Sequence, residues 1–79
     1  MVTPNQAVAA RVQRAMDEAD ITRLALAEAT GIPFVTLSRR LKGTNSFTAE
    51  ELIIISPVLN VTPAYFFEDW ADIRSAAAS

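Results

Sequence analysis

Two glycines, Gly31 and Gly43, divide the centre of this 79-residue chain into two short segments. Thr22 precedes a run of good helix formers that stops at Gly31, a natural residue for the left-handed position after a helix. A second segment, about residues 33–42, stops at Gly43 and carries a basic cluster near its end. The pattern predicts two short helices, helices 2 and 3, joined by a tight turn.

Hydroxyl residues mark the starts of the other predicted helices. Thr3-Pro4 and Thr62-Pro63 each combine a capping hydroxyl with Pro at the first helical position. Thr48 is followed three residues later by Glu51, which is the capping-box pattern, just before an apolar run. These patterns place helix 1 at Pro4 to about Ala19, the start of helix 4 at Thr48, and a short helix 5 at Pro63 to about Phe67.

Helix 1 has an apolar stripe at steps of three and four residues, formed by Val8, Val12, Ala15, Met16 and Ala19. Its charged residues lie mostly off this stripe, so we expect a solvated face formed by Arg11, Arg14, Asp17 and Glu18. Arg14 and Glu18 are four residues apart and can form a weak ion pair.

Pro57 falls inside the apolar part of helix 4. A proline in a helix interior removes one hydrogen bond and clashes with the preceding turn, at a cost of ~3 kcal/mol. We therefore expect helix 4 to bend or end near Ser56, with Val58 and Leu59 in a distorted last turn.

The composition excludes several kinds of site. The chain has no Cys and no His, which removes disulfides, thiolate metal sites and the commonest general base. We expect no cofactor, no metal and no catalytic site, so an enzyme is the least favoured class. No apolar run approaches the ~20 residues of a membrane span, and no secretory signal is visible. A cytoplasmic protein without a membrane partner is expected.

Charge is unevenly distributed along the chain, although the net charge is −2. Residues 21–49 carry four basic residues and one acidic residue, whereas residues 50–79 carry five acidic residues and one basic residue. A basic centre between acidic ends fits a domain with a single nucleic-acid-binding face, and it also fits a random scatter of few charges.

The segment from Ile21 to Phe67 resembles the phage repressor/Cro type of helix-turn-helix domain, also called the xenobiotic-response-element family. The spacing of these residues carries the resemblance: Thr22, Leu26-Ala27, Gly31-Ile32, Thr36-Leu37-Ser38-Arg39, Gly43, Leu52, Ile55, Leu59, Val61 and Phe66. The resemblance implies an all-α, compact five-helix lambda-repressor-like domain. It also implies that helix 3 binds operator DNA in the major groove.

The resemblance implies two sets of DNA contacts. The base-reading positions are Phe34, Val35, Ser38 and Arg39. The phosphate-binding positions are Thr22, Arg23, Lys42, Thr44 and Asn45, to which the basic cluster adds Arg40. Arg39 is the best candidate reader, because its fork matches guanine O6 and N7, whereas Phe34 and Val35 can offer only apolar contacts, for example to a thymine methyl group.

Helix 3 departs from the family pattern at two places. Pro33 occupies the usual Ser or Thr cap. Arg40 and Leu41 stand where the family usually has an apolar residue followed by Glu, so which of the two points inward stays open. The spacing of Leu37 and Leu41 places both on an inner face, with Phe34, Ser38, Arg39 and Lys42 on the outer side.

The C-terminal segment holds more apolar mass than a short last helix needs. We expect Phe66 in the core, and a dimer or partner surface formed by Tyr65, Phe67, Trp70 and Ile73. The acidic residues Glu68, Asp69 and Asp72 would then face away from DNA. The predicted domain covers residues 1–74, followed by a flexible tail at residues 75–79.

These observations favour a sequence-specific regulator of transcription that binds double-stranded DNA, phage or prokaryotic and repressor-like, with a homodimer as its assembly. The alternative is a protein-interaction module of the same fold, antitoxin-like or adaptor-like, that acts through the apolar C-terminal segment.

Overall fold

The computed structural model describes residues 3–68 and Arg74, and within this part of the chain every regular element is helical. Residues 3–68 form four α-helices, α1 (Pro4–Ala19), α2 (Arg23–Thr30), α3 (Phe34–Leu41) and α4 (Ala49–Val58), and a 3₁₀ helix at Pro63–Phe67. The all-α class is confirmed, but the five-helix count is not. The predicted fifth helix has i→i+3 hydrogen bonds, such as Tyr65 N to Thr62 O at 3.0 Å, and Thr62 gives it no side-chain cap.

Threonine caps begin three of the α-helices, as the sequence predicts. Thr22 Oγ1 accepts a hydrogen bond from the backbone N–H of Ala25 at 3.1 Å. Thr48 and Glu51 form the predicted capping box. Thr3 forms a second one with Gln6, which the sequence pattern of a threonine before a proline did not reveal. These caps satisfy backbone donors that have no partner inside a helix.

Helix α4 continues through Pro57 and ends at Val58, with Leu59 as its C-cap. The sequence predicts a bend or an end near Ser56, and the helix ends two residues after that position. Pro57 has no N–H to donate to the Ile53 carbonyl, so it removes one hydrogen bond of the helix. The hydroxyl of Ser56 donates to the Leu52 carbonyl, and the Leu59 N–H still bonds to the Ile55 carbonyl at 3.0 Å. The last turn therefore keeps enough hydrogen bonds to tolerate the proline.

The core draws on every element in the described part of the chain. Its largest fully buried side chains are Val12, Met16, Leu26, Leu37, Ile55 and Phe66. Phe66 is confirmed as a core residue, and it anchors the 3₁₀ helix against the helices. No helix in residues 3–68 is long and apolar enough to cross a bilayer.

Arg11 does not lie on a solvated face, which corrects the prediction for helix 1. The residue is only 6% exposed, and its Nε donates to the Tyr65 carbonyl at 3.1 Å. Its guanidinium also pairs with Glu68 at 2.6 Å and lies 4.1 Å from the centroid of the Tyr65 ring. A charged head can be buried here because Tyr65 on the 3₁₀ helix and Glu68 just after it replace water. The predicted Arg14–Glu18 pair is present at 3.0 Å on the exposed side.

The loop between α3 and α4 packs against the first turn of α1. Gly43 has a φ of +79°, and a Cβ there would lie 2.7 Å from Gln6 Cγ and 3.4 Å from Gln6 Cα. The Ser46 hydroxyl donates to Asn5 Oδ1 at 2.8 Å. The end of α3 is thus fixed against α1 by close packing as well as by chain connectivity.

Substituting Gly43 should cost more stability than substituting Gly31, because only Gly43 is packed against a neighbour. Gly31→Ala meets only the backbone penalty, since Gly31 has a φ of +77° and no neighbour among the described residues lies within 4 Å of the added methyl group. That penalty is about 1–2 kcal/mol, and the contact with Gln6 should add about 1–3 kcal/mol for Gly43→Ala. Urea unfolding followed by circular dichroism measures both changes.

A double-mutant cycle with Gln6→Ala provides the control for that comparison. This change removes Cγ, so the extra cost of Gly43→Ala should disappear in its background. Equal costs for the two glycine substitutions in the unmodified chain would contradict the packing argument.

Candidate nucleic-acid interface

The turn between α2 and α3 is fixed by backbone geometry and a small buried cluster. Gly31 adopts a left-handed conformation, and its N–H bonds to the Ala27 carbonyl at 2.9 Å. The Thr30 hydroxyl donates to the Leu26 carbonyl at 2.8 Å and accepts from the Ile32 N–H at 3.3 Å. Because Leu26 and Ile32 are buried, the turn sets the direction in which α3 leaves the core.

One face of α3 is anchored in the core, and the opposite face is exposed. Leu37 is fully buried and Leu41 is half-buried against the core. Val35, Arg39 and Lys42 are exposed, and their spacing of four and three residues places them in one stripe along the helix. Val35 is 61% exposed, although it is an apolar residue. We call these three residues the exposed stripe.

Two of the predicted base-reading residues lie beside the exposed stripe, on the flank that faces α2. Phe34 is 46% exposed and Ser38 is half-buried. Arg23, at the start of α2, donates from Nη1 to the Ser38 hydroxyl at 3.3 Å. The structure therefore joins a predicted phosphate-binding residue to a predicted base-reading residue, and the Ser38 hydroxyl already has a partner inside the chain.

Arg40 lies on the other flank of α3 and pairs with Glu51 of α4. Its Nε donates to Glu51 Oε1 at 3.0 Å and its Nη2 to Oε2 at 3.4 Å. The two side chains are only 20% and 16% exposed. This settles the orientation that the sequence left open: Leu41 packs toward the core and Arg40 turns toward α4. A guanidinium held in this way is poorly placed for the predicted phosphate contact.

Glu51 also forms a hydrogen bond with Thr48, the N-cap of α4. Its Oε1 also accepts from the Thr48 N–H at 2.8 Å, which completes the cap of α4. Burial alone would raise the pKa of the Glu51 carboxyl, but hydrogen bonds from Arg40 and Thr48, with the positive charge of Arg40, hold this pKa below its usual value. The carboxylate is therefore ionised at neutral pH and bonded to two helices.

The remaining predicted phosphate-binding residues lie at two places. Lys42, Thr44 and Asn45 are exposed at the end of α3, and the Thr44 N–H bonds to the Arg39 carbonyl at 3.2 Å. Thr22 is exposed at the start of α2, where its hydroxyl serves as the helix cap. Short hydrogen-bond donors thus lie beside the exposed stripe.

The predicted partner surface is only partly within the described residues, because Trp70 and Ile73 lie outside them, as do Asp69, Asp72 and residues 75–79. Tyr65 is half-buried and makes internal contacts: its ring lies under Arg11 and its hydroxyl donates to Glu18 at 3.3 Å. Phe67 is exposed and borders an apolar groove with Val8, Phe47 and Leu52. Of the predicted surface, Phe67 is the described residue that presents an apolar side chain outward.

The sequence patterns missed several residues that shape this site. Arg11 and Glu51 have structural partners far along the chain, and Leu24, Ile53 and Ile54 are large apolar residues on the surface. The sequence identifies Glu51 as a capping residue, but no local spacing indicates its second partner, Arg40, eleven positions earlier. Nothing in the local pattern of α2 or α4 distinguished the exposed apolar residues from core ones.

Comparison with known proteins identifies relatives of one kind. A family model described as helix-turn-helix matches residues 12–66. The uncharacterized HTH-type transcriptional regulator y4aM of Sinorhizobium fredii is 37% identical over 65 residues, which are 82% of this chain and 46% of the relative. The uncharacterized HTH-type transcriptional regulator y4wC of the same organism is 36% identical over 73 residues, 91% of this chain and 51% of the relative. The chain spans about half the length of these relatives. No solved structure matches it.

Glu51→Gln should lower stability at neutral pH and lose that effect in acid. Glutamine can still accept the Thr48 N–H, so the change removes mainly the ionic bonds to Arg40, at a cost of about 1–2 kcal/mol. Because the folded-state pKa of Glu51 is lowered, its contribution is complete above the unfolded-state value and is lost as pH falls through the lower folded-state pKa.

Urea unfolding of both proteins at neutral pH and at steps below pH ~4.3, the ordinary value for Glu, measures this difference in free energy. The other carboxylates titrate in both proteins and cancel in the comparison. A difference that stays constant from neutral pH down to pH ~3 would contradict the ionic role of Glu51.

Proposed function

This chain belongs to the helix-turn-helix family of the Cro/C1 type, and from that premise we propose that it is a sequence-specific transcriptional regulator that binds double-stranded DNA through α3. The observation that supports this proposal is the exposed stripe, Val35, Arg39 and Lys42, on a short helix whose opposite side is anchored in the core. The proposal places α3 in the major groove, which is wide enough to admit a helix.

Base recognition is assigned chiefly to Arg39 and Val35, with Phe34 beside them. Arg39 is exposed and can donate two hydrogen bonds to guanine O6 and N7. Val35 and Phe34 offer surfaces that fit the C5 methyl group of thymine. Ser38 has a smaller part in this proposal, because Arg23 already binds its hydroxyl.

Backbone contacts are assigned to Thr22, Arg23, Lys42, Thr44 and Asn45, which flank the exposed stripe at the start of α2 and the end of α3. Arg40 is left out, because Glu51 binds its guanidinium. Each neutralised phosphate adds about 0.9 to the slope of log affinity against log salt. With so few cations, the slope for one chain should be shallow and its affinity modest.

A homodimer and a repressor-like, prokaryotic role are further parts of the proposal. Two copies on adjacent half-sites would double the DNA contacts that one chain can make. The exposed Phe67 and its apolar groove support an interface near the C-terminal segment. The same groove is what favours the alternative, a protein-interaction module, in which binding of a partner protein would replace dimerisation.

Selection from random duplexes should enrich a defined motif, and Arg39→Ala should lose preference at one guanine of that motif. The expected loss at that base pair is about 5-fold to 100-fold, since a bidentate arginine–guanine contact contributes about 1–3 kcal/mol. Fluorescence anisotropy with the selected duplex and its single-base variants measures this loss.

Arg14→Ala is the matched control, because it removes the same charge from an exposed position of α1. Arg14→Ala should lower the affinity for every duplex slightly and by the same factor. A two-fold symmetric motif would support the homodimer, whereas no enrichment by the wild type would refute the regulator and favour the protein-interaction alternative.

Replacing thymine by deoxyuridine in the selected motif should weaken binding where Val35 or Phe34 contacts the methyl group. The replacement removes only that methyl group, which corresponds to about 0.8 kcal/mol, or about a 4-fold loss in affinity. The effect should vanish at one thymine in Val35→Ala, because the contact is already gone. An equal loss in wild type and Val35→Ala at every thymine would show that Val35 reads no methyl group.

A further inference from the structure

We propose that the Arg40–Glu51 ion pair is a positioning device for base recognition, which makes the specificity of α3 depend on a residue of α4; this inference rests on the proposed DNA-binding function. Arg40 directly follows Arg39 in the chain, and consecutive residues of an α-helix point about 100° apart. Fixing the orientation of the helix at Arg40 therefore fixes the direction in which the Cα–Cβ bond of Arg39 leaves the helix.

The geometry of the pair suits this role. Arg40 binds Glu51 with two of its nitrogens, at 3.0 and 3.4 Å, so the guanidinium plane and the carboxylate plane constrain each other. The same carboxylate is bound by the Thr48 N–H at 2.8 Å. Glu51 is thus held by the first turn of its own helix while it holds α3.

The opposite flank of α3 has a weaker connection. There, Arg23 reaches the Ser38 hydroxyl through a single hydrogen bond at 3.3 Å. Between the two flanks, Leu37 and Leu41 pack against the core and determine which face of α3 is turned inward. The paired ions add directional hydrogen bonds to this packing, and these restrict the rotation of α3 about its axis that the packing still allows.

A positioning role is compatible with the loss of stability expected for Glu51→Gln. A partly buried ion pair gains little net stability over an apolar pair, because desolvation offsets most of the attraction between the charges, whereas removing one partner leaves the other charge unpaired and lowers stability. Its directional hydrogen bonds nevertheless restrict the geometry of both partners. The quantity that a loss of positioning should change is therefore the ratio of the affinities for selected and scrambled DNA.

The effect of charge and the effect of positioning change the affinity for the selected DNA in opposite directions. Glu51→Gln removes a negative charge close to α3, so charge alone would strengthen binding to any DNA. A positioning role predicts the reverse for the selected motif, because Arg39 loses its fixed direction. The operator affinity should fall while the affinity for scrambled DNA stays level or rises by about 2-fold.

The experiment uses the full chain, the duplex selected by the wild type and a scrambled duplex of the same composition, at fixed salt. Glu51→Gln should reduce the ratio of the two affinities by about 5-fold to 10-fold. The matched control is Glu50→Gln, which makes the same change of charge at an exposed neighbouring position of α4 and should leave the ratio unchanged. Circular dichroism confirms that each variant is folded at the assay temperature.

Arg40→Lys provides a second variant that keeps both charges but loses the fork, and its ratio should fall between those of wild type and Glu51→Gln. It carries the same test if Glu51→Gln folds incompletely. An unchanged ratio in Glu51→Gln would overturn the inference. So would a parallel rise in both affinities with a salt slope steeper by about one, because that result identifies Arg40 as a released phosphate contact. A wild type that prefers no motif would instead overturn the proposed function itself.

Discussion

The burial of Leu37 is the contact on which α3 depends. A helix of eight residues is not stable alone in water, and α3 begins at a proline without a side-chain cap. Val35 and Thr36 add little helix propensity. The segment is helical because Leu37 is fully buried in the core, with Leu26 of α2 and Met16 of α1 in the same cluster. The exposed stripe is therefore a product of tertiary packing, and the residues that form it are not needed to hold the helix in place.

Much of this fold could be predicted from local patterns. The caps at Thr3, Thr22 and Thr48 lie within three residues of the groups they bind, so sequence spacing is enough to find them. Gly31 at the turn between α2 and α3 could also be predicted from its immediate neighbours in the sequence. The predicted fifth helix covers the residues of the 3₁₀ helix, Pro63–Phe67, but these few residues adopt 3₁₀ hydrogen bonding instead of α.

The residues that could not be predicted have partners far away in the chain. Arg11 is separated from Glu68 by 57 positions, and Arg40 from Glu51 by eleven. Helical periodicity assigns a residue to a face of its own helix, but it does not say what another element brings to that face. For the same reason, the pattern predicted the outward side of α3 and left the orientation of Arg40 and Leu41 open. The DNA contacts of the exposed residues stay predictions.

The double use of Glu51 has an evolutionary consequence. Glutamine would satisfy the cap of α4 but not the charge of Arg40, and aspartate is one methylene shorter than the chain that reaches both partners. A change at Arg40 can therefore be matched at position 51 only by a residue, such as glutamine, that still caps the start of α4. Val35 and Arg39 carry no such double demand, because their side chains face outward. Divergence among descendants of this sequence should therefore accumulate at these two positions, so that a new target can be acquired by single substitutions that leave the fold intact.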